Sequence, residues 1–105
     1  MTNLTNETID DFIRSNDTVF IQYGALWCQP CQRIKKRMPH IQQGFDLIPI
    51  AYVDVDELQQ HDRVKELKLM AVPTFALYHK GKVVKSQPTS DENVVIEILN
   101  EARKL

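Results

Sequence analysis

The chain has 105 residues, of which 43% are hydrophobic and 26% charged, and its formal net charge is −1. That length fits one domain over residues 1–105 and suffices to bury a core without disulfide staples. The near-zero charge argues against nucleic acid or an anionic membrane as partner, and no apolar run approaches the roughly 20 residues that span a bilayer.

The opening MTNLTNETIDDF is polar and acidic, without the basic segment and apolar run of a secretory signal. A reducing cytoplasm is therefore the expected compartment. Thr5 or Asn6 can cap a first helix in which Ile9, Phe12 and Ile13 recur at helical spacing. TVFIQYGAL, residues 18–26, is rich in apolar and β-branched residues and predicts a buried strand. Helical periodicity resumes around Pro30, with Ile34, Met38 and Ile41 inward and Arg33, Lys35, Lys36 and Arg37 in solvent. Pro39 falls inside that pattern and should kink or end the helix. FDLIPIAYVDVD, residues 45–56, predicts a second interior strand, and ELQQHDRVKELKL, residues 57–69, a helix with Leu58, Val64 and Leu67 in the core. PTFALYHKGKVVKSQ, residues 73–87, predicts a hairpin turning at Lys80-Gly81. Ser90 can cap a last helix whose buried stripe is Val94, Val95, Ile98, Leu99 and Ala102. The order α, β, α, β, α, β, β, α predicts an α/β fold: a mixed central sheet, with parallel crossovers and a final antiparallel pair, flanked by helices on both faces.

Both cysteines of the chain lie in WCQPC, residues 27–31. Two cysteines three positions apart in the first turn of a helix stand on one side of it, with Cα atoms about 5–6 Å apart, within reach of a disulfide. Cys28, at or near the N-cap, would face unpaired backbone N–H groups and the positive end of the helix dipole, which lower a thiol pKa. Pro30 suits the first turn, where its missing N–H would be unsatisfied in any case. Cys31, one turn further in, would be the more buried and less acidic thiol. Such asymmetry serves thiol–disulfide exchange, in which one thiolate attacks and the second resolves the mixed disulfide. A metal site would need four ligands, or three and a water. The candidates to join the cysteines are His40, His61 and His79, none with ligand-pair spacing to another. An inert cysteine pair is the third reading.

WCQPC resembles the thioredoxin signature Trp-Cys-Gly-Pro-Cys, with Gln29 in place of glycine. LKLMAVPTF, residues 67–75, resembles that family's second signature, a Val/Ile-Pro-Thr segment whose proline forms a cis peptide bond beside the cysteines. The resemblance extends over residues 15–105. It implies a thioredoxin fold and a protein-disulfide reductase that cycles between dithiol and disulfide, with a role in electron transport and cell redox homeostasis. By the same resemblance Cys28 is the nucleophile, Cys31 the resolving thiol and Trp27 a flank of the substrate surface. The backbone of Ala71 and Val72, ahead of cis-Pro73, would pair with an extended substrate segment. Pro30 and Gln22 would support the site. No bound cofactor and no metal are implied. The expected partners are protein disulfides and a thioredoxin-reductase-like electron donor, and a monomer is expected. A specialised thiol oxidant or isomerase, or a non-catalytic binding module, are the competing readings.

The chain departs from the family pattern in four places. Gln22 stands where the family has a buried aspartate, and glutamine cannot carry a proton away. Gly24 replaces a frequent tryptophan. Lys36 takes the position of the helix proline, with Pro39 three residues later. KSQPTSDE, residues 85–92, replaces the family's Val-Gly loop beside the active site.

Overall fold

A computed structural model describes residues 1–105. Its elements in chain order are β1 (Thr2–Asn3), α1 (Ile9–Arg14), β2 (Thr18–Gly24), α2 (Gln29–Gln42), β3 (Ile50–Asp54), α3 (Asp62–Leu67), β4 (Thr74–His79), β5 (Lys82–Pro88) and α4 (Glu92–Ala102). The five strands form one sheet in the order β1-β3-β2-β4-β5. β2 lies at its centre, parallel to β3 and antiparallel to β4.

Alternation along the central strand sorts the core into two layers. Phe20 of β2 and Phe75 and Leu77 of β4 face α2 and α4, where Ile34, Met38, Ile98 and Leu99 close over them. Ile21 and Tyr23 point to the other face, against α1 and α3, with Ile9, Ile13 and Val64. Each such fully buried aliphatic or aromatic side chain contributes about 1.5–3 kcal/mol relative to exposure. Gln22 lies on the α2 face between Phe20 and Gly24 and is the wholly buried exception to an otherwise apolar strand.

Five details differ from expectation, each for a local reason. The two-residue β1 is additional: it pairs with β3, and Leu4 N–H donates to the Tyr52 carbonyl at 2.8 Å. Thr8, not Thr5 or Asn6, is the residue before α1; Thr5 instead opens a turn whose carbonyl accepts from Thr8 and Ile9. β3 begins at Ile50 and not at 45, because Pro49 brings no donor to the ladder and 45–48 form turns around the buried Phe45 and Ile48. α3 begins at Asp62 and not at 57, because His61 caps it, Nδ1 accepting from Arg63 N–H at 3.1 Å. Asp91, one residue after Ser90, caps α4 by accepting from Asn93 N–H at 2.8 Å.

Two further expectations are altered. The helix between β3 and β4 does not make a parallel crossover, because β4 docks on β2 in the antiparallel sense. α2 runs on through Pro39 to Gln42; Pro39 is exposed, so the helix loses a hydrogen bond but no packing. The Lys80-Gly81 turn is as expected, with φ of +52° and +82°, the left-handed pair a tight hairpin requires.

Candidate active site

β2 ends at Gly24, and the chain turns through Ala25, Leu26 and Trp27 into α2. Cys28 is the N-cap: its backbone is extended and its Sγ accepts from Cys31 N–H at 3.2 Å. Gln29 and Pro30 fill the first two helical positions, where a proline leaves no donor unsatisfied. Cys28 and Cys31 are disulfide-bonded, with Cα atoms 5.2 Å apart. The two sulfurs are not equivalent. Cys28 retains 5% exposure and lies on the surface side, whereas Cys31 is wholly enclosed. The N-terminal amides of α2 and its dipole favour negative charge on Cys28 once the bond opens.

The segment before β4 crosses this site. Val72-Pro73 is a cis peptide bond, and the Val72 carbonyl oxygen lies 3.7 Å from Cys28 Sγ. The Ala71 carbonyl is taken by the Thr74 hydroxyl at 2.7 Å and the Pro73 carbonyl by Thr89 N–H at 3.1 Å. These bonds fix the backbone that faces the sulfur. Trp27, 69% exposed, is steadied on the other side by its Nε1–H, which donates to Asp56 Oδ2 at 2.9 Å. Between Trp27 and Val72 runs an open groove floored by Val55, Val64 and Leu69 and edged by Lys65 and Lys68. Leu26 and Met70, next in the chain to Trp27 and Ala71, are both exposed.

Beneath the disulfide, Gln22 Nε2–H donates to the Cys31 carbonyl at 3.0 Å, while Gln22 Oε1 has no partner. The basic run of α2 is divided in its contacts. Arg37 makes a two-pronged pair with Glu92 at 3.1 Å, and Lys35 places its ammonium 3.9 Å above the Tyr52 ring.

The structure thus gathers Gln22, Trp27, Cys28, Pro30, Cys31, Ala71, Val72 and Pro73 at one end of the sheet. The histidines lie elsewhere: His61 caps α3 and the His79 ring meets Thr18 Oγ1 at 2.9 Å. No group of three or more His, Cys, Asp or Glu side chains assembles into a metal-binding cluster. The segment read as a loop, 85–92, is strand as far as Pro88; only Thr89–Asp91 remain as a short connection, lying beside Pro30 and Arg33. Asp56 and Tyr52 escaped the sequence reading. The signal for Tyr52 was alternation: it sits opposite Gln22 in the β2–β3 register and so shares its face.

The thioredoxin family model matches residues 1–101. The chain is 31% identical over 103 residues to mitochondrial thioredoxin-3 of Saccharomyces cerevisiae, covering 93% of this chain and 80% of that one. It is 34% identical over 80 residues to thioredoxin-2 of Dictyostelium discoideum, covering 76% and 88%. The crystal structure of oxidised yeast mitochondrial thioredoxin 3 superposes with a TM-score of 0.86 at 27% identity, over 96% of this chain and 94% of that one.

Proposed function

Because this chain belongs to the thioredoxin family, we propose that its exchange chemistry is divided, Cys28 attacking and Cys31 resolving. The family and the bonded Cys28–Cys31 pair make it a thiol–disulfide oxidoreductase acting on protein disulfides. The observation that carries the division is the unequal placement of the two sulfurs: Cys28 caps α2 and keeps 5% exposure, whereas Cys31 is wholly enclosed.

In the dithiol form, the Cys28 thiolate attacks a substrate disulfide, one substrate sulfur leaves, and a mixed disulfide forms. Cys31 then displaces the second substrate sulfur from Cys28, regenerating the intramolecular disulfide. An extended substrate segment lies across Ala71 and Val72 in the manner of an added strand, with Trp27 and the apolar groove receiving its side chains. Pro73 and Pro30 fix the two backbones that meet at Cys28. A thioredoxin-reductase-like donor returns the pair to the dithiol, placing the protein in electron transfer and redox homeostasis. The cytoplasm suits that cycle, because a reducing compartment keeps thiols available.

Mutation of the cysteines separates this reading from an adaptor that uses the same groove without turnover. Cys28→Ser is expected to abolish dithiol-driven reduction of insulin. Cys31→Ser is expected to accumulate covalent mixed disulfides on Cys28, because attack survives while release fails. Adducts trapped on Cys31 in Cys28→Ser, with none in the other variant, would reverse the roles. Equilibration of the wild-type pair with a glutathione redox series separates a reductase from a specialised oxidant or isomerase.

A further inference from the structure

Resolution requires Cys31 to lose a proton inside the protein. The Gln22 side chain that touches its backbone cannot hold one. Two buried polar side-chain atoms in the molecule lack a hydrogen-bond partner: Gln22 Oε1 and the Tyr52 hydroxyl. They belong to residues directly opposed across the parallel β2–β3 ladder, on the face that α2 covers. The absence of a side chain at Gly24 is what admits the phenol. A Cβ there would stand 2.7 Å from the Tyr52 hydroxyl oxygen and 3.2 Å from Cys31 Cβ. The hydroxyl and the Cys31 side chain therefore border the same small space, the one that residue 24 leaves open.

We propose that the Tyr52 hydroxyl, in the niche opened by Gly24 and shared with Gln22 Oε1, relays the proton that Cys31 gives up when it resolves the mixed disulfide. The proposal rests on the division of labour between Cys28 and Cys31 given above. In the disulfide form Cys31 has no S–H, and both niche oxygens are left without partners. Opening the disulfide creates an S–H donor on the Cys31 side chain that borders this space. During resolution the Cys31 S–H bond breaks, the Cys31–Cys28 S–S bond forms, and the Cys28–substrate S–S bond breaks. The substrate sulfur leaves with the electron pair as a thiolate and is reduced, while Cys31 is oxidised. The Tyr52 oxygen accepts the thiol proton and gives up its own to water that reaches the niche during the exchange, so the phenol is neutral before and after. Burial raises the Tyr52 pKa, and the carboxylates of Asp54, Asp56 and Glu57 act in the same sense. The Gln32 side chain on α2 opposes them, and the Lys35 ammonium is the charged group placed above the ring. A hydroxyl that keeps its proton through the working range can donate and accept at once.

Reduced protein mixed with an excess of a symmetrical aromatic disulfide separates the two steps. Attack by Cys28 releases one aryl thiolate and resolution by Cys31 releases a second, read as two absorbance phases. Tyr52→Phe, which removes only the oxygen, is expected to keep the wild-type first phase. Its second phase should slow by about 10²-fold at neutral pH, within the range for positioned proton transfer. That phase should also rise with hydroxide concentration much more steeply than in wild type, a change that loss of packing alone would not produce. Should Tyr52→Phe lose the first phase through misfolding, Gly24→Ala takes its place as the decisive variant. It keeps the phenol but drives its oxygen from the niche, and the same slow, steep second phase is expected. A second phase in the decisive variant that superimposes on wild type at every pH overturns the proposal. Wild-type protein without a second phase overturns the underlying division of labour, so the two failures are distinct.

Discussion

Gln22 is wholly buried, yet only the amide half of its side chain is engaged, through Nε2–H to the Cys31 carbonyl. An aspartate there would be one methylene shorter and, even with a protonated carboxyl, would not reach the Cys31 carbonyl as Gln22 Nε2–H does. Gln22→Asp should therefore cost about 1 kcal/mol even when the new carboxyl is neutral. Burial raises the carboxyl pKa in the folded state, so between the two pKa values the native protein holds a proton that the unfolded chain has lost. Stability should then fall as pH rises above the unfolded value of about 3.9, by about 1.4 kcal/mol per pH unit until the folded value is reached. Urea midpoints of variant and wild type at pH 4, 6 and 8 measure this, and a constant difference would refute it. That position 22 is unusual was legible, because a family aspartate is missing there. That Tyr52 completes the niche was not, because only strand register brings residues thirty apart in sequence onto one face.

At the scale of elements, α2 carries most of the chemistry and also one defect. Pro39 leaves the Lys35 carbonyl without its helical donor, and its ring is exposed. Pro39→Ala should restore the bond and raise stability by about 1–3 kcal/mol without touching the core. Thermal unfolding of the two proteins decides this, and a lower midpoint for the variant would contradict it. The number and order of the main elements and the turn at Lys80-Gly81 were readable from periodicity and punctuation, whereas the convergence of both signature motifs came from the family resemblance. The ends of β3 and α3 were not. Phe45, Ile48 and Leu58 are apolar and buried, so they extend the pattern of the neighbouring strand and helix, but they are held by turns. Hydropathy registers burial and is silent about which carbonyl a donor will find.

For the molecule as a whole, a few ion pairs tie together helices that do not follow one another in the chain. Arg63 on α3 donates to Asp10 on α1 at 2.9 Å and to the Gly81 carbonyl of the hairpin at 3.0 Å. The Arg63 guanidinium holds the Asp10 carboxyl below its ordinary value. A carboxyl depressed in the folded state binds its proton more readily in the unfolded chain. Its contribution is therefore complete above about pH 4 and lost as pH falls through the lowered folded value. Asp10→Asn should destabilise at neutral pH by no more than about 1 kcal/mol, since Asp10 is half-exposed to solvent. The gap between variant and wild type should close as the pH falls through the lowered folded value and the wild-type carboxyl protonates. Denaturant midpoints across that range test it, and a gap that persists in acid would exclude the pairing as its cause. The sheet itself has two outer margins, and both are poor landing places. β1 is two residues long; β5 carries Lys82, Lys85 and Pro88, and its register skips Val84 against β4. A stray extended segment from another polypeptide finds short, charged or interrupted rails there. The ordered backbone at Ala71 and Val72 is a berth of a different kind, because a strand laid on it comes to rest beside a sulfur. If substrates dock as proposed, extended segments meet the one spot where contact can be converted into exchange, and not the borders where they would only accumulate.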